Sequence, residues 1–124
     1  MVQVLVVDDD PLFREIAREL LESEGHAVTV AENGAEALLV PSEPEAALAV
    51  VDMLMPERDG IETIADLRFR WPGVKVIAVS AGARNLEANL LLRAARALGA
   101  DAAMEKPVAP MAFLALVNEV LGQS

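Results

Sequence analysis

Val4-Leu5-Val6-Val7-Asp8-Asp9-Asp10-Pro11 is the stretch whose reading decides the fold. Its first half is a short apolar run, and such runs mark strands buried on both faces of a parallel sheet. It closes on three carboxylates. Pro11 then sits where a helix can begin, because its missing N–H costs nothing in the first turn. Three later runs repeat the form. Leu48-Ala49-Val50-Val51 leads into Asp52, Val74-Lys75-Val76-Ile77-Ala78-Val79 leads into Ser80, and the weaker Ala102-Ala103-Met104-Glu105 leads into Lys106-Pro107. In open parallel α/β sheets, ligands bind at the carboxyl ends of the strands. The polar residues that end these runs therefore converge on one candidate site, with carboxylates, a hydroxyl and an ammonium.

Working outward, strand patterns alternate with helical ones. Phe13, Ile16, Ala17, Leu20 and Leu21 recur at helical spacing opposite Arg14, Glu15, Arg18, Glu19 and Glu22, and Gly25 stops the helix. A strand follows over 27–31. Asn33 caps a short helix through Leu39, and Pro41-Ser42-Glu43-Pro44 forms a loop before a strand over 46–51. A third helix runs from Gly60 to about Trp71, a fourth from Leu86 to Leu98, and a fifth from Pro110 to about Leu121. The alternation predicts (βα)5: a doubly wound, five-stranded parallel sheet of flavodoxin-like form with helices on both faces. Residues 1–124 read as one domain.

Composition narrows the function classes. Aromatic residues make up only 3%, so the core must be aliphatic. The chain has no cysteine, which removes disulfides, thiolate metal sites and cysteine nucleophiles. A net charge of -10 argues against direct nucleic-acid binding and against anionic membranes, and favours cationic partners or metal ions. No apolar run reaches a membrane-spanning length, and Met1-Val2-Gln3 lacks the basic start of a signal peptide, so a cytoplasmic location is expected.

The chemistry follows from the strand ends. Asp8 and Asp9 are adjacent and Asp52 ends another strand. Close carboxylates raise one another's pKa, and a divalent cation relieves the repulsion. Mg2+ takes oxygen ligands and keeps several waters, so one or two carboxylates, a backbone carbonyl and a phosphoryl oxygen suit it. A carboxylate can also act as a nucleophile and form an acyl phosphate. Phosphoryl transfer needs mainly positioning and charge neutralisation. The metal and Lys106 would supply the neutralisation, and Ser80 a hydrogen bond to a phosphoryl oxygen. The plainer alternatives are a helix-capping aspartate, a turn serine and a solvated lysine.

Taken together, Val6-Val7-Asp8-Asp9, Asp52-Met53-Leu54-Met55-Pro56, Asp59-Gly60, Val79-Ser80-Ala81 and Lys106-Pro107 resemble a response-regulator receiver domain of the chemotaxis-regulator type, over the whole chain. The resemblance implies that Asp52 is the phosphoacceptor. It implies that Asp8, Asp9, the Asp52 carboxylate and the backbone carbonyl of Leu54 hold Mg2+. Ser80 becomes the switch hydroxyl, Lys106 pairs with phosphoryl oxygens, and the Lys106-Pro107 bond is cis. The donor would be a phosphohistidine on a sensor histidine kinase or a histidine phosphotransfer protein. Asp10 is expected to cap a helix or lie at the periphery.

The chain also departs from the family pattern. Ala103 stands where the family usually carries Tyr or Phe, which leaves the usual coupling of hydroxyl to aromatic ring without its ring. Output is then expected to rely on movement of the loop from Ser80 to Asn85 or on assembly. Leu54 and Gly82 fall where the family tunes access of hydrolytic water, and bulky Leu54 predicts slow self-dephosphorylation. The fifth helix carries Met111, Phe113, Leu114, Leu116, Val117, Val120 and Leu121, and the fourth Leu86, Leu90, Leu91, Leu92 and Leu98. Their exposed remainder is a candidate homodimer or partner surface. His26 is expected at the surface and Trp71 in packing. Two rival readings are a haloacid-dehalogenase-like phosphatase with Asp8 as nucleophile, and a degenerate receiver acting only as a binding module. No enzymatic turnover is expected beyond self-catalysed phosphoryl transfer and slow self-dephosphorylation.

Overall fold

The computed structural model describes residues 1–53, 60–80, 86–97 and 99–122; residues 86–89, 91 and 92 are described as helical backbone alone. Strands and helices alternate throughout. The order is β1 (Gln3–Val7), α1 (Pro11–Ser23), β2 (Ala27–Ala31), α2 (Gly34–Ala37), β3 (Leu48–Asp52), α3 (Gly60–Arg70), β4 (Lys75–Ser80), α4 (Leu86–Ala97), β5 (Ala102–Glu105) and α5 (Pro110–Val120). All strands pair in parallel, in the order β2-β1-β3-β4-β5.

The side-chain period of two along each strand sorts the core into two layers. Val4, Val6, Leu48, Val50, Ile77 and Val79 pack against Phe13, Ala17 and Leu21 of α1 and Phe113 and Val117 of α5. Leu5, Val7, Ala49, Val51, Val76 and Ala78 pack on the opposite face with Ala37, Ile64, Leu67 and Ala95 of α2, α3 and α4. Burying each such aliphatic side chain contributes about 1.5–3 kcal/mol. Both faces of the central strands are thus covered, which is why their sequences read as unbroken apolar runs.

The helix signals behave as expected at most ends. Asp10 caps α1, its side chain accepting from the Leu12 N–H at 2.9 Å. Asn33 caps α2 by accepting from the Glu36 N–H at 2.8 Å. Gly25 ends the turn after α1 with a φ of 87°, a left-handed conformation that favours glycine. Trp71 is a packing residue, buried, with its Nε1 donating to the Ser42 carbonyl at 3.0 Å.

Some expectations need correction. α2 ends at Ala37 rather than continuing through Leu39, because the Leu39 N–H donates to the Glu36 carbonyl in a tightened turn. The third strand begins at Leu48, two residues later than expected, and pairs through Asp52. His26 is not a surface residue: it is 5% exposed. The turn after α1 folds it against the amino terminus, where Nδ1 accepts from the Val2 N–H at 3.2 Å. On α5, Met111 is exposed, while Leu114, Leu116, Val120 and Leu121 are half-buried against the α1–α5 layer. Leu90 of α4 is exposed; Leu86, Leu91, Leu92 and Leu98 lie outside the described side chains. Among the described residues, no helix is long and apolar enough to cross a membrane.

Candidate functional site

The sheet order places the topological switch between β1 and β3, since the chain leaves β1 for β2 on one side and returns to β3 on the other. Asp8 and Asp9 follow β1, and Asp52 is the last residue of β3. Each offers a carboxylate oxygen, and the three oxygens lie within 4.8 Å of one another. Ser80 ends β4 and Lys106 follows β5, so the strand ends gather the remaining predicted side chains on the same rim. Leu54, Met55-Pro56, Asp59 and Gly82 lie outside the described residues.

Asp8 is wholly buried and held from several sides. Its Oδ1 accepts from the Asp10 N–H at 2.9 Å, and its Oδ2 forms an ion pair with Lys106 Nζ at 2.8 Å. Arg14 Nη1 donates to its carbonyl at 2.7 Å, and its own N–H donates to the Ala31 carbonyl at 3.0 Å. Burial pushes the Asp8 carboxyl above its ordinary value and Asp9 adds to the rise; Lys106 and the Asp10 N–H oppose it without cancelling it. A carboxylate under such strain, beside two more, fits a hard divalent cation that takes oxygen ligands. The set Asp8, Asp9 and Asp52 is therefore able to hold a metal ion.

Lys106 is aimed by two contacts that its position in the sequence does not reveal. Its Nζ lies 4.7 Å from the centroid of the Phe13 ring, and Phe13 itself packs edge-on against Phe113 at 6.5 Å. Its N–H donates to the Ser80 carbonyl at 2.8 Å, tying the ends of β4 and β5 together. The Lys106-Pro107 bond is cis, as expected. Ser80 Oγ is buried and has no hydrogen-bond partner among the described residues. An unpartnered buried hydroxyl costs stability, so its retention at the rim of an acidic site is chemically informative.

Sequence reasoning missed three contributors. Phe13 reads as a core position, and its role beneath the lysine depends on α5 standing beside α1. Arg14 reads as solvent-facing. Gly60, at the start of α3, is buried against β3: a Cβ there would lie 2.6 Å from the Asp52 carbonyl oxygen and 2.7 Å from Met53 Cα. Its N–H donates to the Met53 carbonyl at 3.2 Å. The only available signal was the Asp59-Gly60 pair.

A doubly wound parallel sheet with a carboxylate cluster at its switch point, faced by a serine and a lysine, belongs to the flavodoxin-like class of α/β folds. The chain belongs to the response regulator receiver domain family, whose sequence profile matches residues 4–118. An uncharacterized 14.6 kDa protein of Leptolyngbya boryana is 39% identical over 120 residues, covering 95% of this chain and 88% of that protein. The chemotaxis protein CheY of Halobacterium salinarum is 32% identical, covering 96% of each. Among solved structures, a CheY-like receiver domain protein of Methanospirillum hungatei superposes with a TM-score of 0.83 at 32% identity, covering 98% of this chain and 94% of that one. Receiver domains are signalling modules of two-component systems rather than classical enzymes.

Proposed function

We propose that residues 1–124 form a single receiver domain that accepts a phosphoryl group on Asp52 from a phosphohistidine donor, with Mg2+, and switches a partner or output. The observation that carries this reading is the convergence on one rim of the three-carboxylate cluster, the buried unpartnered Ser80 hydroxyl and Lys106. An Asp52 oxygen attacks phosphorus; the new P–O bond forms as the P–N bond to imidazole breaks, and the leaving imidazole takes up a proton from solvent. Asp8, Asp9, Asp52 and the Leu54 carbonyl would hold Mg2+, which supplies charge neutralisation at the phosphoryl oxygens. Ser80 Oγ donates to one of those oxygens, and Lys106 leaves Asp8 to pair with another. Net enzymatic turnover of a phosphate ester is not part of this function.

The donor is a sensor histidine kinase or a histidine phosphotransfer protein. A recess of about 280 Å3 between α1 and the β5–α5 turn supports that approach. Lys106 and Asp10 give it a polar end, and Leu12, Ile16 and Val108 give it apolar walls. Asp8 is ill placed as a nucleophile, being wholly buried and ion-paired.

Intact mass after incubation with Mg2+ and acetyl phosphate tests the reading, for wild type and Asp52→Asn. Gain of one phosphoryl group by wild type alone is expected. Label kept by Asp52→Asn would move the acceptor elsewhere. No gain by folded wild type would favour a receiver that works only as a binding module.

A further inference from the structure

The Lys106 ammonium sits in a notch whose two walls come from one stretch of chain. One wall is the Asp8 carboxylate, 2.8 Å away, and the other is the face of the Phe13 ring, whose centroid lies 4.7 Å away. Residues 8–14 hold the two walls in a fixed relation. The Asp10 N–H donates to Asp8 Oδ1, the Asp10 side chain caps α1 at the Leu12 N–H, and Arg14 Nη1 donates to the Asp8 carbonyl. The ring is braced from behind: Phe113, wholly buried on α5, meets it edge-on at an interplanar angle of 76°. The notch draws nothing from Ala103, so it keeps its aim in a chain whose strand β5 carries no aromatic ring.

A lysine ammonium is a strongly hydrated point charge on a flexible stem. The Lys106 side chain is only 19% exposed, so most of that hydration is gone. The π face of Phe13 replaces part of it with a surface of negative potential that carries no formal charge. Such a face has no single direction of approach, so an ammonium can slide across it while it changes anionic partners. The notch opens into the recess between α1 and the β5–α5 turn, which Phe13 and Lys106 both line. Without the ring, an ammonium that left Asp8 would have the water of that recess to turn to. We propose that Phe13 is a positioning residue for phosphoryl transfer. Its ring keeps the Lys106 ammonium at the rim while the lysine exchanges the Asp8 carboxylate for a phosphoryl oxygen, so the charge pivots over the ring instead of escaping into the recess. The proposal rests on the receiver reading, with Asp52 as acceptor, and adds the residue that sets where the neutralising charge stands.

The test replaces Phe13 by mono-, tri- and pentafluorophenylalanine in the full chain, which keeps the ring and drains negative charge from its face. Transfer from acetyl phosphate in Mg2+ is followed by intact mass over a range of donor concentrations. The rate at saturating donor is expected to fall stepwise along the series, by about three- to tenfold at the pentafluoro ring, with the half-saturating concentration little changed. Phe13→Leu should be slowed as much. Val117→Ala, which removes volume from the same core layer at a residue that does not touch the lysine, should keep the wild-type rate. A second readout needs neither metal nor phosphate. Lys75 and Lys106 are the only lysines, and Lys75 is exposed. In protein carrying carbon-labelled lysine, the Lys106 ε-methylene protons should resonate upfield of those of Lys75, shielded by the ring, and lose that shift in Phe13→Leu. The shift should persist in the phosphorylated protein. A flat fluorination series in a chain that gains a phosphoryl group would overturn the proposal and leave the receiver reading standing, whereas no gain by folded wild type would overturn both. Loss of the upfield shift on phosphorylation would overturn the pivot. An equal loss of rate in Val117→Ala would reduce Phe13 to a packing residue. If Phe13→Leu does not fold, the fluorinated rings decide, since they keep its shape.

Discussion

Asp8→Asn should make the metal-free protein more stable, although it removes one partner of a buried ion pair. The substitution keeps the shape and deletes the charge. At an effective dielectric constant of about 20, loss of the Lys106 attraction at 2.8 Å costs about 6 kcal/mol. Relief of repulsion from Asp52, with oxygens within 4.8 Å, returns about 3.5 kcal/mol. Asp9 is exposed, so water screens its share, which returns at most about 1 kcal/mol. The relieved repulsion offsets most of the lost attraction, and the asparagine oxygen still accepts from Lys106. Desolvation of the buried carboxylate then decides the sign, and it is the largest cause of the raised Asp8 pKa. The expected gain is about 1–2 kcal/mol, or about 4–8 °C in Tm. The assay is thermal and urea unfolding in EDTA and in excess Mg2+. Mg2+ at ten times its Kd should stabilise wild type by about 1.4 kcal/mol and the variant by much less. The pH dependence has a definite sign. Because the native pKa lies above 3.8, the native carboxyl binds its proton before the unfolded one does. This group therefore adds stability as pH falls through the raised native value towards 3.8, and Asp8→Asn lacks that contribution. A variant no more stable than wild type in EDTA would refute the reasoning.

Three further outcomes are expected. Gly60→Ala places a methyl group against the Asp52 and Met53 backbone, so it should destabilise by about 1–3 kcal/mol in urea and slow phosphoryl gain from acetyl phosphate; a wild-type rate would show that α3 does not position Asp52. The His26 pKa is held below 6.5, first by burial and then by the amino-terminal ammonium, so its contribution is fully present above pH 6.5 and is lost as pH falls through the lowered native value. His26→Gln should flatten the stability profile as pH falls below about 6.5, and an unchanged slope would count against it. Leu54→Asn should shorten the life of the phosphorylated form by admitting hydrolytic water, measured by the decay of intact mass; an unchanged lifetime would remove that role from Leu54.

The sequence alone determined the alternation of elements, since periods of two and 3.6 are local properties of the chain. It also placed Asp8, Asp9, Asp52, Ser80 and Lys106 at strand ends, and with parallel strands that is enough to bring them to one rim. The caps Asp10 and Asn33 were legible because a cap bonds within its own turn. Tertiary structure decided what depends on strand order and on which helix stands beside which. It paired Lys106 with Asp8 and set the ammonium over Phe13, contacts between residues far apart in the sequence. It folded His26 against the amino terminus and pressed Gly60 onto the backbone of β3. Local patterning fixes which way a side chain points along its own element, whereas only packing between distant elements fixes what it meets there.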